Sequence, residues 1–158
     1  MRYEKAPDLQ KIAEEISRLI FPHIKVDRMK CFRSFGSSSD GTIARCHTIG
    51  KLLQKAMNTE AFYAIEFISE RFDKLPDEEK IKVIIHELMH IPQTFGGGFR
   101  HHDHVCDRNI SICYKEYKEK KKEAEKEDTL GIKELRWKNS ENFKHIEETR
   151  KNAQKNLF

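Results

Sequence analysis

Two prolines, Pro76 and Pro92, bracket the stretch DEEKIKVIIHELMHI, and that bracket constrains the chain more than any other feature in it. Proline is tolerated at the start of a helix, but it disfavours helical geometry in the residue before it and cannot donate a backbone hydrogen bond from a helix interior. Asp77, Glu78 and Glu79 complement the positive end of a helix, and Ile81, Ile84, Ile85, Leu88 and Met89 recur at helical spacing. The spacing therefore predicts a helix that opens at Pro76 and ends near His90. His86 and His90, four positions apart, fall on one face about one turn from each other, where both imidazoles can reach one metal ion.

That pair sits in the pattern H-E-x-x-H, which has a defined chemistry. Neutral imidazole nitrogens suit zinc, and a catalytic zinc site keeps three protein ligands and a water. Glu87, beside the first histidine, points off to the side, where it can act as general base toward that water without ligating the metal. A third ligand must come from elsewhere. Gly96, Gly97 and Gly98 let the chain turn sharply after Pro92, and they lead into His101, His102, Asp103 and His104. A histidine or aspartate six residues after His90, as in metzincins, would be Gly96, and a thermolysin-like glutamate about twenty residues on would fall near Ile110. Neither Cys31 nor Cys46 sits in the cysteine motif that peptide deformylases use. Spacing thus leaves His101, His102, Asp103 and His104 as candidates.

Around this segment the chain reads as one domain of mixed structure. PDLQKIAEEISRLI, residues 7–20, places Leu9, Ile12, Ile16, Leu19 and Ile20 on one helical side, and Pro22 stops it. RMKCFRSF, residues 28–35, reads as a strand, GSSSDG as a loop, and TIARCHTIG as a second strand paired to the first across that loop. KLLQKAM, residues 51–57, reads as a short helix, and AFYAIEFIS, residues 61–69, as a strand rich in aromatic and β-branched residues. Asp103 is expected to cap a further helix that turns almost wholly charged beyond Tyr117. The expected fold is a small α+β domain over 1–128, with a backing helix, a small sheet, the histidine-bearing helix and a C-terminal helix. Residues 129–158 form a charged helical or flexible tail.

Composition limits what such a chain does. A length of 158 residues suits one core. No apolar run approaches the roughly 20 residues that span a bilayer, so no membrane role is expected. Cys31, Cys46, Cys106 and Cys113 form no C-x-x-C pair, which points to a reduced, cytoplasmic setting. A second metal site from Cys31, Cys46 and His47 matches no finger spacing. His23 and His145 read as structural or exposed. The net charge of +4 lies mostly after Tyr114, so a nucleic-acid partner is possible but not indicated. The sequence is silent on oligomeric state.

The segment His86, Glu87, Leu88, His90, Ile91, Pro92, then Gly97, Gly98, Phe99, Arg100 and His102, resembles the archaeal and phage metallopeptidases whose signature reads HELxHIP, a short loop, Gly-Gly, Leu, Arg, any residue, His. ARCHTIGKLLQ is similar to a weaker upstream segment of that family. Phe99 replaces the family's leucine, and His101 stands where proline is expected. The resemblance implies a zincin-like fold, one zinc ion, peptide or protein substrates and His102 as the third ligand. It extends more distantly to SprT-like proteases that act on DNA-protein crosslinks, although the aromatic and basic interleaving of a nucleic-acid site is missing. A helix beginning at Asp103 would also keep a histidine just before it neutral and ready for metal. Asp103 and Asp107 are candidates to orient ligand imidazoles. Arg100, His101 and His104 are nearby candidates for stabilising an oxyanion. An extended substrate would pair with an exposed strand, either 61–69 or its sheet neighbour. The rival reading is a noncatalytic module in which metal ties the loop to the helix, with both His102 and His104 closing the shell.

Overall fold

A computed structural model describes the backbone of residues 1–155 and the side chains of residues 1–132. The expectations for Leu135, Trp137, Phe143, His145 and Ile146 concern side chains outside the described residues. The chain divides into two compact units, Met1–Lys118 and a second from Glu119 onward.

The first unit is a four-stranded sheet with helices against one face, an α+β arrangement. β1 (Arg2–Lys5), β2 (Met29–Phe35), β3 (Ala44–Thr48) and β4 (Tyr63–Ile68) lie in the order β1-β2-β4-β3. β4 runs parallel to β2 and antiparallel to β3. The hairpin expected between the second and third strands is therefore not formed, because β4 inserts between them. Two physical features favour that order. β4 is buried along nearly its whole length, so its backbone groups need ladders on both sides. The loop over 36–43 is long enough to step across the roughly 10 Å that two strand spacings occupy.

α1 (Pro7–Ile20) spans the predicted residues, with proline at its first position and Phe21 taking the cap. Its Leu9, Ala13 and Ile16 meet Met29 and Cys31 of β2 and Tyr63, Ile65 and Phe67 of β4 in one core. Gln10 fixes its position against β2, donating from Nε2 to the Met29 carbonyl at 3.0 Å and accepting from the Cys31 N–H at 2.7 Å. α2 (Lys51–Met57) and the short α3 (Ser69–Phe72) follow β3 and β4. α4 (Asp77–Met89) buries Ile84, Ile85 and Leu88 in the same core, with His90 as its C-cap. It thus ends where Pro92 requires.

The last helix, α5 (Asp107–Lys155), starts four residues later than expected. The Asp103 carboxylate accepts the N–H of its neighbour His104 at 2.9 Å and does not cap α5. A separate turn over 101–105, in which the His104 and Val105 amides both bond the His101 carbonyl, delivers Val105 into the core before the helix begins. Ile110 and Tyr117 are the buried residues of α5 within the first unit. Helical backbone continues through Glu119 to Lys155. No described helix is long and apolar enough to cross a membrane.

Candidate active site

α4 sets His86 and His90 with ring centroids 5.0 Å apart. The return loop brings His102 to 5.7 Å from His86 and 4.9 Å from His90. One ligand atom from each of the three lies within 4.8 Å of the other two, and this is the one such cluster among the described residues. His101, Asp103 and His104 do not join it. Because α5 begins at Asp107, the helix-dipole argument for a neutral histidine before Asp103 does not apply. Burial is what favours the neutral, metal-binding imidazole in His86 and His90: it pushes both below the ordinary histidine value, and the neighbouring imidazoles push the same way.

Backbone hydrogen bonds fix the loop before any metal arrives. The Arg100 N–H donates to the His90 carbonyl at 2.8 Å, and the Arg100 carbonyl faces His90 Nδ1 at 2.7 Å. A carbonyl only accepts, so Nδ1 carries the proton and Nε2 is left with its lone pair for a metal. Further back, the Tyr63 hydroxyl donates to the Gly98 carbonyl at 2.9 Å and accepts the Gly97 N–H at 3.0 Å. Gln54 Nε2 bonds the carbonyls of Ile49 at 2.7 Å and Gly96 at 3.0 Å. Gly97 has φ +94°, and a Cβ there would stand 2.2 Å from Gln54 Nε2 and 2.5 Å from the Ile49 carbonyl oxygen. Only glycine fits this position, on both counts.

Glu87 sits 6% exposed in the cleft beside His86. Burial pushes its carboxyl up to about 7, opposed by a hydrogen bond from the Cys46 backbone. That backbone belongs to β3, which has a neighbour on one side only. The Ile68 N–H bonds the Ile43 carbonyl, and Ala44 stands opposite Phe67, so the alternation of an antiparallel ladder turns the backbone groups of Ala44, Cys46 and Thr48 toward the free edge. β4, the other strand considered for substrate pairing, is internal. The cleft between these parts has a volume of about 530 Å³ and is lined from β3, α4 and the loop residues Phe99 to His102.

Sequence reasoning missed the roles of Cys46, Gln54 and Tyr63: the segment ARCHTIGKLLQ holds the first two, but what each of the three contacts depends on how distant parts of the chain pack. Asp107, one of the two acids considered as partners of ligand imidazoles, stands close enough to His86 to favour its protonated form, whereas Asp103 is turned to His104. Cys31, Cys46 and His47 do not converge. Cys31 and Cys46 flank Ile65 on the core face, while His47 points to the other face and bonds the buried Glu66 at 2.7 Å. His23 is structural, its Nε2 lying 3.0 Å from the Ile91 carbonyl at the end of α4.

The family described as "Putative phage metallopeptidase" matches residues 1–127, which takes in the sheet, α4, the return loop and every residue of the cleft. The chain belongs to this family. Membership supports a peptidase activity that depends on a metal, and the three converging imidazoles are a donor set suited to one. No curated protein and no solved structure matches the chain. Within the family segment, the match covers both the HELMHIP stretch of α4 and the loop that returns His102 to it.

Proposed function

We propose that the chain is a zinc-dependent peptidase in which His86, His90 and His102 hold one zinc ion and Glu87 is the general base. The observation that carries this reading is the convergence of three imidazoles beside a buried carboxyl at a free strand edge. The donor set fits zinc, because His86 and His90 are held toward neutrality and no fourth protein donor joins them among the described residues. When bound, zinc supplies Lewis acidity and a water made acidic enough to attack a carbonyl near neutral pH.

The chain's own residues supply the rest. Glu87, with its carboxyl pushed up to about 7, takes a proton at neutral pH and can pass it to the departing amine. The free edge of β3 offers the backbone of Ala44 and Thr48 to an extended peptide, which then lies along the cleft. His90 is held in one tautomer by the Arg100 carbonyl, and the Tyr63 and Gln54 hydrogen bonds hold the segment leading to His102. Peptide or protein chains are therefore the proposed partners, and the unpaired cysteines suit a reducing compartment such as the cytoplasm.

The test is cleavage of a mixed peptide library by zinc-loaded protein, followed by chelation and zinc addition. Activity is expected to vanish and return, and Glu87→Gln is expected to lower it by about 10²–10⁴ while zinc stays bound. A Glu87→Gln rate equal to that of the parent would remove the mechanism.

A further inference from the structure

We propose that the cleft selects peptides with carboxylate groups beside the scissile bond, through Arg45 of β3 and Arg100 of the return loop. This rests on the peptidase reading and names the substrate class for that site. The cleft's fixed charges are unbalanced. Arg45 and Arg100 are its two permanent cations, and the one acid among its lining residues, Glu87, is sealed 6% exposed.

Arg100 carries most of the argument. Its backbone N–H and carbonyl are both committed to His90, so the residue's position relative to a proposed ligand is fixed. Arg100 is half-buried as a residue, and its guanidinium enters no ion pair among the described residues. A guanidinium at the cleft wall with no ion-pair partner is available to a ligand carboxylate, which its planar fork matches with two parallel hydrogen bonds.

Arg45 adds a second cation on the strand where a substrate would pair. Its contact with Glu66 is long, 3.8 Å through Nη1, and Glu66 Oε2 is already bonded to His47 at 2.7 Å. Most of the five donors of Arg45 therefore remain available, and its side chain is 34% exposed. A peptide strand added to β3 projects alternate side chains on the face that bears Arg45, so an acidic residue there meets it directly.

The test uses the full zinc-loaded chain and peptides identical except for Glu, Gln or Lys on both sides of the central bond, each with a free or an amidated C-terminus. Two quantities are measured: kcat/KM with the parent protein, and binding by fluorescence anisotropy to zinc-loaded Glu87→Gln, which reads recognition without turnover. Glu peptides are expected to exceed Gln peptides by about tenfold or more, the worth of one charge-assisted hydrogen bond, with Lys peptides last. Arg45→Gln and Arg100→Gln should each shrink that ratio, the double variant should bring it near one, and Arg100→Lys should keep part of it.

Equal treatment of Glu and Gln peptides that are nonetheless cleaved overturns the selection and leaves the peptidase reading standing. Dependence on a free C-terminus alone, whatever the flanking residues, overturns the side-chain assignment and makes the chain terminus the recognised carboxylate. Glu peptides that bind preferentially but are never cleaved uphold the selection and overturn the peptidase reading. Peptides neither bound nor cleaved overturn both.

Discussion

Glu87 holds its proton into the neutral range because burial removes water from the carboxyl, pushing it up to about 7 against the Cys46 hydrogen bond. Two pH dependences follow, with opposite signs. Catalysis needs the base form, so kcat/KM should rise with pH on the acid side, through a midpoint below the metal-free value because a bound zinc ion favours the carboxylate. Stability of the metal-free protein should fall over the same direction. The folded carboxyl binds its proton more tightly than the unfolded one, so this contribution is complete below about 4.5 and is lost as pH rises through about 7. Its upper bound is roughly 3 kcal/mol, and Glu87→Gln should flatten that slope in chelator-treated denaturation curves. His102→Ala should weaken zinc binding by about 100-fold or more in a competition titration, while His104→Ala should change it little, since His104 lies outside the cluster. At this scale the sequence was informative where the arrangement is local. His86, Glu87 and His90 are neighbours on one helix, and their spacing alone implies their arrangement. Cys46, forty-one positions upstream, reaches Glu87 only because β3 packs beside α4, which no local pattern states.

The helices were legible because their signals are local: proline at the first position of α1, the acids opening α4, and Pro92 closing it. The existence of β2, β3 and β4 was legible from their local composition, but β1, which is charged and exposed, was not, and neither was strand partnership. Alternation tells which face a residue takes and says nothing about which strand lies beside it. The misplaced start of α5 has a similar origin, since Asp103 has the right chemistry for a cap and spends it on a preceding turn. The return loop shows how elements far apart in sequence combine: α2 contributes Gln54, β4 contributes Tyr63, and Gly97 is the point where both meet. Gly97→Ala forces a positive φ on a residue with a Cβ and drives that Cβ into the Ile49 carbonyl. A loss of about 1–3 kcal/mol in urea denaturation is expected, together with weaker zinc binding because His102 shifts with the loop. A matched Gly98→Ala variant, where a Cβ meets open space, should leave both nearly unchanged.

For the whole chain, the first unit closes at Lys118, just after Tyr117 enters the core and its hydroxyl donates to Glu15 of α1. A fragment spanning Met1–Asp128 keeps that anchor and every cleft residue. It should unfold cooperatively with a midpoint within a few degrees of the full chain and bind zinc equally; a cut before Tyr117 should lower the midpoint by about 4–8 °C or more. The domain boundary expected from charge alone falls in the same helix, where mixed charge replaces apolar residues, although sequence offers no mark of where packing stops. β3 carries a further consequence. A strand edge that is left open so that a peptide can lie along it is equally open to the matching strand of another copy, which would pair edge to edge and fill both clefts at once. β3 is short, and an edge pairing centred on Arg45, its second residue, would set that arginine against its own like charge, so the residue that marks this cleft for acidic chains also disfavours that register of self-pairing.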